Sequence, residues 1–292
     1  MTTETFSAAW LRQREPFDTE ARNAAAPALE LQSRLAARKR IPTEPWRVID
    51  LACGTGANLR WLAPHLGGSQ QWLVVDHDAS LLRCWPERLG VTAAGEGLDE
   101  PLAFCGAGFQ AAVVRQHIDL TGALHTLPWH AAHLVTASAL LDLVSLAWLS
   151  RLVAASMAAR VALLMSLSVD GRHRWTPTDP QDATVARVFG AHQQRDKGFG
   201  PALGGGAVAM LQRELRAAGF RVFSARSDWQ IDGRDGPQAR AMQRALIDGM
   251  AQAATEQAPA SAQALRAWQQ RRHALADAGR VSVGHVDVLA LP

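Results

Sequence analysis

The sequence predicts an α/β protein: a mostly parallel, seven-stranded sheet between two helical layers, with an N-terminal helical segment and two insertions. Three observations predict it. From residue 46 onward, short apolar runs alternate with helix-patterned segments, the signature of βαβ units and a parallel sheet. A turn of tiny residues, ACGTG at 52–56, joins the first such run to the first helix, where open parallel sheets meet their ligands. The 292 residues are also enough to bury a full core.

Taken in order, the opening 40 residues read as helix and stop before the breakers Pro42 and Pro45. Residues 1–45 are therefore expected to pack as a helical segment on a single domain spanning 46–292. Strands are expected at 46–52, 71–76, 111–120, 133–138, 160–168, 220–231 and 280–291. Helices are expected from about Ala57, over ASLLRCWPERL (79–89), over SLAWLSRLVAASMA (145–158) and over 207–218. A polar, Gly/Pro-rich loop insertion is expected at about 170–206. A helical insertion follows at about 236–279, where Ala, Gln, Arg and Leu favour helix.

Composition narrows the partners. Net charge is +3, and 28 of the 30 basic residues are arginines scattered without a run, so no basic stripe marks a nucleic-acid surface. Cys53, Cys84 and Cys105 are odd in number and show no CxxC spacing, so neither a disulfide framework nor a zinc site is indicated, and a reducing cytoplasm is expected. The most apolar tract, 133–169, is interrupted by Asp142, Arg151 and Arg160, so it reads as core, and no membrane association is expected. His125, His130 and His133 lack helical ligand spacing, and no metal is expected.

The chemistry concentrates in the first turn. Ala52, Gly54 and Gly56 let the backbone approach a ligand, and the free N–H groups of the next helix face it. Asp50 restricts what that ligand is. A carboxylate there repels a pyrophosphate, and the third glycine of a GxGxxG would fall at Leu59. The turn suits a cationic group beside a nucleoside.

The stretch VIDLACGTGAN (48–58) resembles the first motif of class I S-adenosylmethionine-dependent methyltransferases, with Ala52 in place of the first glycine of D-x-G-x-G-x-G. The resemblance implies a Rossmann-like three-layer sandwich and S-adenosyl-L-methionine as cofactor, with S-adenosyl-L-homocysteine as product. It implies cofactor contacts from Asp50, Ala52, Gly54, Gly56 and Asn58, with Asp50 helping to hold the amino group. Asp76, 22 residues beyond Gly54, is placed to accept from the ribose hydroxyls. Asp78 is either the alternative ribose ligand or a helix N-cap. Asp119 and Leu120 match the third-strand position beside adenine, and Ser138 ends the fourth strand. His133 stands where many relatives carry an acid.

For the acceptor, ASALLDL after the fourth strand lacks the [N/D/S]PPY-like segment that grips a flipped base, and no cysteine stands near a motif proline. A small-molecule partner is expected and a nucleic acid is not. The 170–206 insertion is expected to cover the acceptor, with Arg172, Arg174, Trp175, Asp196, Lys197 and Phe199 binding it; the other reading is a solvated loop. His173, His192 and Asp142 are the candidate bases for direct SN2 transfer. The expected substrate is a small polar metabolite, anionic or heteroaromatic. The alternatives are a catalytically inactive nucleoside-binding scaffold and, behind it, an NAD-dependent oxidoreductase. A monomer or homodimer is expected.

Overall fold

A computed structural model of the chain describes residues 6–38, 43–91, 97–98 and 100–292. Helices α1 (Ala8–Ala25) and α2 (Leu31–Ala36) precede the sheet, and the Ser7 hydroxyl caps α1 by accepting from the Trp10 N–H at 3.1 Å. Strand β1 (Trp46–Leu51) is buried almost throughout, as a central parallel strand must be. There follow α3 (Ala57–Leu66), β2 (Gly68–Asp76), α4 (Ala79–Arg83), α5 (Trp85–Leu89), β3 (Leu102–Gly106), β4 (Phe109–His117), α6 (Leu120–Ala123) and β5 (Leu134–Ser138). The second half comprises α7 (Leu146–Ala159), β6 (Ala162–Thr176), α8 (Asp182–Gln193), α9 (Ala207–Ala217), β7 (Arg221–Arg226), β8 (Trp229–Asp232), α10 (Pro237–Gln257), α11 (Ala262–Leu275) and β9 (Arg280–Leu291).

The strands form one sheet in the order β3-β4-β2-β1-β5-β6-β9-β7, with β8 also paired to β9. From β4 to β6 the pairs are parallel; β3, β9, β7 and β8 pair antiparallel. This is the Rossmann-like α/β fold that the sequence predicts, with nine strands among the described residues rather than seven. One extra strand, β3, forms a hairpin with β4 across Ala107 and Gly108, whose φ of +80° suits glycine. The other arises because 220–231 is two strands. At the break, the Ser227 N–H donates to the His285 carbonyl, so β7 pairs with 286–291 and β8 with 280–283.

A larger departure concerns 170–206. The chain leaves the sheet only after Thr176: β6 runs on to that residue through two register shifts and pairs His173 with Val283 and Trp175 with Val281, and α8 lies in the remainder. The physical reason is a third apolar core. Trp175, Trp229, Ile231, Val281 and Val283 pack against Met242, Ile247 and Met250 of α10 and Leu265 and Trp268 of α11. The other two cores lie on opposite faces of the sheet. One joins Trp148, Leu149 and Leu152 of α7 to Leu211 and Leu215 of α9. The other joins Leu59 and Leu62 of α3 to Leu31, Leu35 and Trp85.

Because α3 follows β1 on one face and α7 follows β5 on the other, the chain reverses its winding between these adjacent strands. That leaves a crevice at their carboxyl ends. Helix α1 lies against α3, β6, β7 and β8.

Trp268 is fully buried, and its indole N–H donates to Asp182 Oδ1 at 2.9 Å, which ties α11 to α8. Trp268→Ala should therefore destabilise the fold by about 3–5 kcal/mol, read as a lowered urea midpoint.

Candidate active site

A cavity of about 380 Å³ opens at the carboxyl ends of β1, β2, β4 and β5. Its floor is the β1–α3 turn, with Ala52, Cys53, Gly54, Thr55, Ala57 and Asn58 in the wall. The turn is held from outside. Gly54 (φ +52°) donates its N–H to Asp76 Oδ2 at 2.8 Å, and its carbonyl accepts from the Trp85 indole at 2.8 Å. Gly56 (φ +86°) lies against the same indole, where a Cβ would come within 3.0 Å of ring atoms. Gly56 thus keeps room for Trp85 and does not line the cavity, unlike its expected cofactor role. Ala52 occupies a left-handed conformation (φ +51°) that a glycine would adopt freely.

Three acids line the cavity where β2 and β4 end: Asp76, Asp78 and Asp119. Asp76 also accepts from the Asp78 N–H at 2.9 Å. Asp78 caps α4 through Ser80, whose hydroxyl and N–H hold its carboxyl below the usual range. Asp119 caps α6 through the Thr121 N–H at 2.9 Å, with the same effect. His77 stands beside Asp76, which raises the imidazole pKa by hydrogen bonding. Leu120 and Ser138 complete the wall among the expected residues.

The rest of the wall comes from the α1 segment and the 197–199 loop: Phe6 just before α1 and Leu11, Arg14 and Asp18 within it, Lys197, Gly198 and Phe199 from the loop, with Leu140 and Leu143 after β5. Arg14 Nε and Nη2 grip Asp18 at 2.9 and 3.1 Å, and the Trp229 indole donates to Asp18 at 3.0 Å. Asp196 is not in the wall; it accepts from the Gly198 and Gly200 N–H groups at 2.7 and 2.9 Å and so shapes the loop carrying Lys197 and Phe199.

Several expected site residues lie elsewhere. Asp50 is 0% exposed and behind the wall, its Oδ1 2.6 Å from Asn58 Nδ2; burial pushes its pKa up to about 7, opposed by the Asn58 hydrogen bond and the Arg22 guanidinium. Arg172 grips Asp228 at 2.8 and 3.0 Å, Arg174 is exposed, and Trp175 is in the third core. His173 is packed edge-on to Phe189 and His192 bonds Glu256 at 3.1 Å, neither reaching the cavity; Asp142 does not line it either. The reason is common to His173, Arg172 and Trp175: continuation of β6 carries them into the sheet. Among the described residues no three His, Cys, Asp or Glu side chains gather as a metal ligand set.

Sequence reasoning missed the wall contributed by α1. Arg14, Asp18 and Arg22 recur at i, i+4 and i+8, one polar stripe on a helix, which was the available signal. Arg22 is 2% exposed and stacks on Trp61 at 3.7 Å; burial lowers its pKa to about 10, opposed by Asp287, Asp18 and Asp50.

No family model and no curated protein sequence matches the chain. Among solved structures, it is similar to a cyclopropane-fatty-acyl-phospholipid synthase-like protein from Lactobacillus casei, at 12% identity over 100% of this chain and 96% of that one, with a TM-score of 0.50. It is also similar to a SAM-dependent methyltransferase from Thiobacillus denitrificans in complex with S-adenosyl-L-homocysteine, at 17% identity over 99% and 100% of the two chains and a TM-score of 0.40. At such identity the first likeness is one of fold, and the second superposition is too loose to add to it.

Two outcomes follow from this geometry. Ala52→Gly should raise stability by up to about 1 kcal/mol in urea unfolding, because it relieves a left-handed alanine. His285, buried beside Trp229, has its pKa pushed down to about 3, by burial first and the Arg14 charge second. Between that value and the ordinary 6.5 the unfolded chain binds a proton that the native chain refuses, so stability falls on acidification through this window. Asp50, raised to about 7, acts with the opposite sign as pH rises from its ordinary 3.8. In His285→Gln the acid-side loss of urea stability should be shallower than in the native chain.

Proposed function

We propose that the protein is an S-adenosylmethionine-dependent methyltransferase acting on a small polar metabolite, anionic or heteroaromatic, by direct SN2 transfer. The observation that carries this reading is the make-up of the cavity wall. Asp76, Asp78 and Asp119 line it where β2 and β4 end, and the cations Arg14, paired to Asp18, and Lys197 line it together with Phe6, Leu11, Leu140, Leu143 and Phe199. Carboxylates that end parallel strands suit ribose hydroxyls and the adenine amino group. The guanidinium and ammonium groups with their apolar surround suit a planar or anionic acceptor.

The residues present fit the cofactor. Gly54 brings side-chain-free backbone to the turn, with Leu11 Cδ1 of α1 3.1 Å from where a Cβ would stand, and the Asn58 amide oxygen, like Asp50 Oδ2, is buried without a hydrogen-bond partner among the described residues. When bound, the cofactor supplies an electrophilic methyl on a sulfonium. The chain's own part is to align and enclose. Holding two reactants in line contributes about 7–11 kcal/mol to lowering a barrier, so a strong base is not required. Helix α1 and Phe199 contribute to the cavity wall, and the base candidates His173, His192 and Asp142 lie outside it. An acceptor whose nucleophilic atom is already unprotonated at neutral pH fits that arrangement best. The same distance of the base candidates also leaves room for a nucleoside-binding protein that transfers nothing.

Calorimetry should show binding of S-adenosyl-L-homocysteine and none of NAD at equal concentration; a preference for NAD overturns the reading. Asp76→Asn should weaken the thioether nucleoside by roughly tenfold or more, as loss of charge-assisted hydrogen bonds implies. Formation of S-adenosyl-L-homocysteine from the sulfonium in the presence of a metabolite extract separates a transferase from a binder.

A further inference from the structure

One arginine of the cavity wall is clamped in a way that leaves it a free binding edge, and its assignment rests on the transferase reading just given. A guanidinium offers a carboxylate or phosphate two edges, the Nε–Nη2 side and the Nη1–Nη2 end. In Arg14 the side edge is filled: Nε donates to Asp18 Oδ2 at 2.9 Å and Nη2 to Asp18 Oδ1 at 3.1 Å. Asp18 also accepts from the Trp229 indole at 3.0 Å, and the guanidinium lies over that indole, 5.0 Å from the ring centre. Both partners are buried, so α1 and β8 together fix the group. The end edge is different. Nη1 has no hydrogen-bond or ion-pair partner among the described residues, and the Arg14 side chain keeps 12% exposure in the cavity wall.

That edge suits an oxyanion better than a neutral ring. Its N–H groups lie in one plane and match two oxygens of a carboxylate or phosphate, and a group already fixed by a carboxylate and an indole loses little freedom when it binds. Asp18 does not cancel the positive charge, because it also lies in the field of Arg22, and Lys197 adds a further cation to the wall. Sheet order sets this place apart from the acids. Arg14 meets Trp229 on β8 and its charge bears on His285 of β9, whereas Asp76 ends β2 and Asp119 follows β4; β1, β5 and β6 lie between. We infer that the Nη1–Nη2 edge of Arg14 anchors an oxyanion, carboxylate or phosphate, of an anionic methyl acceptor, with Asp18 and Trp229 as positioning residues. Of the acceptors open to the transferase reading, this selects the anionic class over the neutral heteroaromatic one. A guanidinium draws electron density from the oxygen it holds, so the oxyanion is the handle and the methyl goes to another atom of the same molecule.

The test splits a metabolite extract on an anion exchanger at neutral pH and follows formation of S-adenosyl-L-homocysteine by the native chain. The retained fraction should support turnover and the flow-through should not. Alkaline phosphatase treatment of the retained fraction tells the two sources apart: turnover survives it for a carboxylate and is lost for a phosphate. In Arg14→Met the amount of retained fraction that half-saturates the enzyme should rise by about tenfold or more, with the affinity for S-adenosyl-L-homocysteine in calorimetry within about twofold of the native chain. Asp18→Asn should raise the half-saturating amount by a smaller factor, and by more than it lowers the limiting rate; loss of folded protein does the reverse. Turnover of the flow-through overturns the proposal without any variant. So does an unchanged half-saturating amount in Arg14→Met, or a matching loss of S-adenosyl-L-homocysteine affinity, which would put the guanidinium on the cofactor's own carboxylate. Turnover of neither fraction, while S-adenosyl-L-homocysteine still binds, removes the transferase reading itself, a result distinct from turnover of a neutral acceptor.

Discussion

A single buried guanidinium holds the functional end of this molecule together. Arg22 leaves α1 one turn beyond Asp18, lies flat on Trp61 of α3, and is attracted by Asp50 at the end of β1 and Asp287 on β9. Its Nε and Nη2 have no hydrogen-bond partner among the described residues, so the guanidinium is held by stacking and by charge rather than by a bonded fork. Removing a buried charge's partner is strongly destabilising, whereas replacing the whole set by apolar groups often is not. The burial of these three ionisable groups together therefore points to placement: they fix where α1 crosses the strand ends, and α1 in turn defines how much of the crevice remains open.

Strain gathers at the same edge. Ala52, Ala139 and Leu167 all take left-handed backbone conformations, and all three lie at or near the carboxyl ends of the central strands. Ala139 is fixed by its N–H bond to the Ser166 carbonyl and Leu167 by its N–H bond to Asp287 at 2.7 Å. Such conformations persist where surrounding contacts over-determine them, which is common beside ligand sites. The β6 irregularity at Met165–Ser168 belongs to this set, since it brings Leu167 to the Asp287 carboxylate.

The central architecture was legible because its determinants are local. Apolar runs in β1, β2, β5 and β6 and the Ala52–Gly56 turn declare themselves in the sequence, and the acids at Asp76 and Asp119 fall where strands must end. Elements whose stability comes from distant partners were harder to read. Residues 170–176 look like a polar loop because Asp170, Arg172 and Arg174 dominate them, yet pairing with β9 and burial of Trp175 make them strand. The five-residue β3 has a single well-buried residue, Leu102, and is held by its hairpin partner. Within the site, the floor could be placed from motif residues, whereas the polar stripe of Arg14, Asp18 and Arg22 marks a face of α1 without saying what that face docks on. Asp50 illustrates a subtler limit: its position was readable, but its separation from the cavity by Asn58 is a matter of side-chain depth.

The cavity is assembled from two sources that differ in origin along the chain. Its floor and acidic residues come from successive strand–helix turns of the sheet, tied to one another by backbone and capping hydrogen bonds. Its far wall comes chiefly from a helix that precedes the sheet and a short loop that follows α8, neither of which forms part of the strand pairing. Divergence in those two segments can therefore alter which molecules are admitted while the strand-end floor stays intact. A lineage built on this frame is free to recast its outer wall without disturbing the pairing of the sheet.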